Sequence, residues 1–345
     1  MRRGVAGVAG SVGMSLGALR RLCAVAAGVA ALLLGGGPRA EAQAPRTFLL
    51  VVTGAAGEPR FAEQFSASAR ALRAAAALPS GQATVLSGSA SMSDADGRAT
   101  RETLVAAIRR LATDTREGDN VSIVLIGHGS AGEGNAFNLT GPDIDATSFA
   151  TEIVALTGRR LTIVVAASAA GGWVPALAAP GRVVVAATRT PFERNESVFH
   201  KHFAQAFSNA AGDADKDGRV SILEAFIHAT REVQREYESA GTLQTEHAVL
   251  DDNGDGEGST EPGQAAPDGR LAMSRFLSAA TVTARGNSPA ADSLAAERGR
   301  VEQAIEALRA RRATMDSTDY ERELEALITR LAEIRRALEP PGEES

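Results

Sequence analysis

Cysteine is almost missing from this sequence: one residue in 345, Cys23. It falls in an N-terminal stretch patterned for removal. Arg2, Arg3, Arg20 and Arg21 precede an apolar run from Leu22 to Leu34, and Ala40-Glu41-Ala42 supplies a small-x-small cleavage site. This is the layout of a secretory signal over residues 1–42. The apolar run is too short for a good membrane span. Leu22-Cys23 lacks the small residues of a lipoprotein signal, and the residues after Arg20-Arg21 fit a twin-arginine motif poorly. The expectation is an exported chain, periplasmic or secreted, with no integral membrane span once mature. That form has no disulfide, no thiolate metal ligand and no thiol nucleophile. Basic charge is also in short supply. The net charge is −6, and loss of residues 1–42, with five arginines and one glutamate, takes it to −10. Nucleic acid and anionic membrane surfaces are thereby disfavoured as partners.

What is present is a set of β-branched runs at the centre of the chain. Val121–Ile126 ends at Gly127-His128-Gly129-Ser130. Leu161–Val165 leads to Ser168 and Gly171-Gly172-Trp173, and Arg182–Ala187 is the third run. Continuous apolar runs with helical pattern between them mark parallel strands buried on both faces. Thr47–Val52 and Ala83–Leu86 read as earlier strands. Helical patterns fall at 61–77, 100–111, 145–156 and 198–210, and from Glu224 to about Tyr237. Asn135–Thr140 reads as a hairpin off the sheet, and Leu271–Leu277 as a last strand or edge segment. The class predicted is α/β, a doubly wound, mostly parallel sheet with helices on both faces. In such sheets ligands sit beyond the carboxyl ends of the strands. His128 and Ser168 both fall there.

His128 stands between two glycines, which leave the imidazole uncovered. Ser168 lies at the equivalent end of a later strand. A nucleophile and a histidine on neighbouring strand ends suit acyl transfer. A strand ending in His-Gly, then one ending in a nucleophile followed by small residues and Gly-Gly-aromatic, resembles the caspase/legumain-type cysteine peptidases, in particular the bacterial legumain-like (C13) branch. The resemblance spans roughly Thr47 to Leu277 and is specific mainly over Ile126–Trp173. It implies a caspase-like domain over residues 45–285, with His128 as general base or acid, Gly129 beside it, and the nucleophile position at Ser168. In the family pattern Asp-Ala-Cys-x-Ser-Gly-Gly, cysteine has become Ser168, and the acid and the serine have become Ala166 and Ala170. A hydroxyl needs a tightly held base, usually oriented by a third group, and no acid is marked for that role. The expected function is a catalytically inactive peptidase homologue that binds peptide or protein at the sheet edge. The alternative is an active hydrolase using Ser168 with His128 as base.

Gly127–Gly132 also spells GxGxxG, but the residues after it look extended rather than helical. His200 and His202 diverge on a helix and read as surface residues. His228 and His247 carry no signal.

Asp213–Glu224 matches the EF-hand loop in full. Asp213, Asp215, Asp217 and Glu224 hold positions 1, 3, 5 and 12, Arg219 offers its carbonyl, Ser221 acts through water, and Gly218 makes the turn. Calcium is the expected cofactor. A lone exported loop of this kind binds on the order of 10⁻⁴ to 10⁻³ M and acts as a structural clip. Asp251–Gly256 begins a second such loop, but Pro262 holds its position 12.

Beyond Arg285-Gly-Asn-Ser-Pro289 the pattern changes. Leu294, Val301, Ile305 and Leu308, then Leu324, Leu327, Leu331, Ile334 and Leu338, form two coiled-coil seams. They predict an antiparallel helical hairpin over 288–340, with Ser288-Pro289 opening the first helix and Thr318 and Glu321 as a capping box at the second. The hairpin either packs on its own domain or serves as a dimerisation or docking arm. A third functional reading is therefore an interaction module working through this hairpin, with self-association as one outcome.

Overall fold

A computed structural model describes Met1 and residues 45–345, with 133, 209–210, 279–293, 295–296, 302–303, 306–307, 310, 313–314 and 339–345 outside the description, as are the side chains of 335 and 338. The chain divides into two compact units, Met1–Ala44 and Pro45–Ser345. The expected signal and the opening of the first C-terminal helix at Ser288-Pro289 lie outside the described residues.

The second unit is built on one sheet. Its elements run β1 (Thr47–Thr53), α1 (Pro59–Ala76), β2 (Ala83–Ser87), β3 (Gly97–Arg98), α2 (Arg101–Asp114) and β4 (Asn120–Gly127). Then come β5 (Gly129–Ser130), β6 (Ala136–Phe137), β7 (Ile144–Asp145), α3 (Ala146–Ile153), β8 (Arg160–Ala167), α4 (Val174–Leu177) and β9 (Val183–Ala186). The chain continues through α5 (Phe199–Ala206), α6 (Ile222–Ala240), β10 (Val249–Asp251) and α7 (Ser317–Leu338). Seven strands pair in the order β10-β9-β8-β4-β1-β2-β3, parallel except for β10. The α/β class and the mostly parallel sheet read from the sequence are what the structure has.

The alternation of side chains explains the layers. In β1, Leu49 and Val51 join one buried cluster with Phe61, Phe65, Phe199, Phe203 and Phe226 of α1, α5 and α6. Phe48, Leu50 and Val52 join the other, with Leu104, Ile108, Phe149 and Leu177 of α2, α3 and α4. All seven residues of β1 are buried. At about 1.5–3 kcal/mol for each fully buried large aliphatic side chain, the central strands dominate the drive to fold.

Three segments differ from expectation. Asn135–Thr140 is no simple hairpin: β5, β6 and β7 make a separate three-stranded antiparallel sheet. Val249–Asp251, for which the sequence pattern marks no strand, forms the antiparallel edge strand β10 against β9. Leu271–Leu277 holds a short 3-10 turn at Ala272–Ser274 and one bridge, Phe276 to Ser221. These are fragments of two or three residues, held by tertiary pairing and too short for any periodicity to register.

Candidate functional site

Sheet order places the reversal of strand sequence between β1 and β4, where an open α/β sheet leaves a crevice. That crevice is occupied from within. Phe137, in β6, lies against the carboxyl ends of both strands, and a Cβ on Gly127 or Gly54 would stand 3.1 Å from its ring. Glycines dominate this rim because backbones meet there. A Cβ on Gly88 would lie 2.1 Å from the Gly54 carbonyl oxygen, and one on Gly129 would lie 2.4 Å from that of Ser168.

His128 and Ser168 follow the paired ends Gly127 and Ala167 of adjacent strands, so the two sequence candidates share one edge. Their side chains are engaged differently. The His128 ring packs edge-on against Phe61 and Phe65 of α1, with centroids 4.8 and 5.2 Å away. Its carbonyl accepts from Asn138 N at 3.0 Å. Among the described residues the imidazole makes no hydrogen bond, so no carboxylate orients it. Ser168 is buried, at 4 % exposure. Its Oγ accepts from Gly129 N at 3.1 Å and donates to Gly129 O at 3.2 Å. Just after it, Ala169 adopts φ 56°, and its N–H is held by the Glu193 carbonyl at 2.8 Å. The hydroxyl proton is thus directed to a carbonyl, and the amide beside it is already used. As it stands, the arrangement closes a loop on itself and does not activate a nucleophile.

The GxGxxG run leads into β5 rather than a helix, so its glycines serve the turn into the small sheet. His200 and His202, expected at the surface, are both buried, at 2 % and 6 %. His200 Nδ1 lies 2.9 Å from Ser68 Oγ, and its ring packs edge-on against Phe65, with centroids 5.2 Å apart. Burial, with the charges of His202, Lys201 and His128, lowers its pKa to about 3. His202 Nε2 lies 2.5 Å from Glu236 Oε2, so the two imidazoles have different partners and form no metal pair. The amphipathic face of α5 is broader than the spacing suggested, because α1 and α6 both cover it.

The loop 213–224 has the turn its sequence calls for, with Gly218 at φ 81° and Lys216 at φ 56°. Asp213 accepts from Asp217 N at 3.0 Å and Gly218 N at 2.9 Å. One carboxylate oxygen each from Asp213, Asp215 and Glu224 lie within 4.8 Å of one another. Desolvation, opposed by the Gly218 N–H and reinforced by Asp215, pushes the Asp213 carboxyl above its ordinary range. Glu224 also receives Ser221 N at 2.9 Å and Ser221 Oγ at 2.8 Å, closing a capping box on α6. Asp217 stands apart from the converged group. Arg298 pairs with its carboxylate and donates to its carbonyl oxygen at 2.7 Å. The Arg219 side chain lies over the Phe276 ring, 3.4 Å from its centroid.

In the second loop, Asp251 accepts from Gly254 N and Gly256 N at 2.8 and 2.7 Å. Among the described residues only the group at Asp213 gathers three such ligand atoms. Reading the sequence also missed Glu246, buried at 2 %. It accepts from Ser197 Oγ at 2.6 Å and Val198 N at 2.8 Å, at the start of α5. It is 48 residues from the helix it caps, and no local pattern marks it.

No helix among the described residues is long and apolar enough to cross a membrane. No protein-family model matches the chain, and no curated protein matches it in sequence.

Proposed function

We propose that this chain is an exported relative of the caspase/legumain-type peptidases that has lost catalysis and acts as a peptide- or protein-binding scaffold. The observation that carries this is the reciprocal bonding of Ser168 Oγ with the Gly129 backbone. A serine nucleophile must give its proton to a base, and an acyl-transfer site needs free N–H donors for the oxyanion. Here both are consumed internally. The two candidates still lie on adjacent strand ends, which is the family placement. The test is exposure to a fluorophosphonate probe and to peptide and ester substrates. Labelling or turnover that disappears in Ser168→Ala would establish the active-hydrolase alternative instead.

The loop 213–224 adds a calcium clip beneath α6. The convergence of Asp213, Asp215 and Glu224 supports it, with the turn glycine and full ligand spacing. Calcium would tie the entry of α6 to the loop. Calorimetry with calcium on the wild type and on Glu224→Gln tests this: no heat with the wild type ends it.

The expected hairpin over 288–340 is supported by the packing of its described apolar residues. Val301, Ile305 and Ile334 share a buried cluster, with Leu294, Leu324, Leu327 and Leu331 packed on it. Arg298 ties its first half to the calcium loop through Asp217. Deleting residues 286–345 leaves the sheet domain folded if the hairpin is an arm, and unfolds it if the hairpin belongs to the core.

A further inference from the structure

Helix α7 carries two heptad stripes, and the chain uses only one of them. Leu324, Leu327, Leu331 and Ile334 face Val301 and Ile305. Asp319, Arg322, Ala326, Thr329, Glu333 and Arg336 recur with the same alternation of three and four residues. At about 100° per residue they fall on the opposite side of the helix. All six are exposed, as are Glu325 and Arg330 beside them.

This second stripe is complementary to itself when reversed. Run antiparallel about the midpoint of Leu327 and Ile328, Asp319 meets Arg336 and Arg322 meets Glu333. Each contact joins opposite charges, and a two-fold axis makes each occur twice. At the centre Ala326 meets Thr329, small side chains that let two backbones approach. We propose that α7 docks antiparallel on α7 of a second copy of this chain along this stripe, with the dyad between Leu327 and Ile328.

A self-inverting charge order identifies a second copy as the occupant, since an unrelated partner imposes no mirror relation. The present pairings do not compete strongly. Asp319–Arg322 at 2.5 Å and Arg330–Glu333 at 2.8 Å are exposed pairs three residues apart, and such pairs contribute little. The Arg330–Glu297 contact at 2.7 Å is also exposed. The proposal rests on the arm reading to the extent that α7 must stand clear of the sheet domain. With 22 residues, α7 is about 33 Å long, and one stripe of it buries less than the roughly 1,200 Å² of a standard interface. The dimer is therefore weak and salt-sensitive.

Sedimentation of the full chain at about 0.05 M and about 0.5 M salt tests this, since added salt shortens the screening length. Dimers are expected at low salt and monomers at high salt. Arg322→Glu and Glu333→Arg should each abolish the dimer by setting like charges across the dyad. An equimolar mixture of the two variants should restore it, because every contact in the mixed dimer is again opposite in sign. Circular dichroism establishes that each variant keeps its helix. If either does not, Asp319→Arg with Arg336→Asp follows the same logic. A wild type that stays monomeric at low salt overturns the proposal, as does a folded pair that fails to rescue in the mixture. A dimer that survives salt and both reversals indicates exchange through the leucine seam, and also overturns it. If the arm reading fails, the 286–345 deletion unfolds the sheet domain, a result separate from any of these.

Discussion

Gly129 and Ser168 hold each other: the Gly129 N–H reaches Ser168 Oγ at 3.1 Å, and the hydroxyl returns its proton to Gly129 O at 3.2 Å. Two strand ends are thereby stitched at the rim where a nucleophile and its oxyanion donors would stand. The Ser168 side chain is here a structural brace.

Ser168→Ala is therefore expected to act on stability. It removes two side-chain bonds to partly exposed backbone groups, worth about 1 kcal/mol in net terms. A urea titration should show a loss of that size, with no hydrolytic activity lost. A loss of hydrolysis without a change in stability would contradict the brace.

Calcium affinity should depend on pH through Asp213. Its carboxyl titrates above the ordinary aspartate range, through desolvation and the neighbouring Asp215. A bound ion requires the charged form, so protons compete. Calorimetric affinity is expected to fall as pH drops through that raised pKa and to level off above it. Glu224→Gln keeps the capping box, because glutamine serves at N3, so α6 should remain folded while binding is lost.

His200 makes a separate pH prediction. Its folded pKa is about 3, against about 6.5 in an unfolded chain. The unfolded state therefore takes up the proton first, and stability present above pH 6.5 is lost as pH falls. Between pH 6.5 and 5 the loss should be about 2 kcal/mol. His200→Gln still reaches Ser68, and denaturant curves at pH 7 and pH 5 should show that part of the slope gone. Glu246 works in the opposite sense: burial raises its pKa against the Ser197 and backbone hydrogen bonds. Its contribution is lost as pH rises through that pKa.

Gly88→Ala should be among the most damaging single changes. The new Cβ would meet the Gly54 carbonyl oxygen at 2.1 Å and its carbon at 2.5 Å. Two backbone segments of the rim cannot both give way, so a loss of several kcal/mol is expected. Gly132→Ala, with nothing within 4 Å, is the matched control and should be near neutral. Similar melting temperatures for the two would show that the rim is softer than its packing.

The seam of α7 shows how boundaries slip even where periodicity is strong. The sequence suggested Thr318 and Glu321 as a capping box. In the structure Asp316 accepts from Thr318 N at 2.9 Å, and Ser317 Oγ reaches Glu321 at 3.3 Å. The cap moved by two residues because several polar side chains compete for the same N–H groups. His200 was misjudged for another reason: α5 is covered by two helices, and a burial stripe that wide looks polar when one of its members is histidine.

From composition and order alone came the α/β class, the buried strands of β1, β4, β8 and β9, the placing of His128 and Ser168 at strand ends, and the ligand spacing from Asp213 to Glu224. Those features are local: periodicity, glycine at turns and residue chemistry are written in consecutive positions. Only the folded chain decided that the Ser168 hydroxyl faces the Gly129 backbone, that Phe137 fills the crevice, that Glu246 caps α5 and that Arg298 claims Asp217. Each of these joins residues between ten and eighty-three positions apart. Which partner a polar group finds at that range is set by how the layers pack, and no window of sequence contains it.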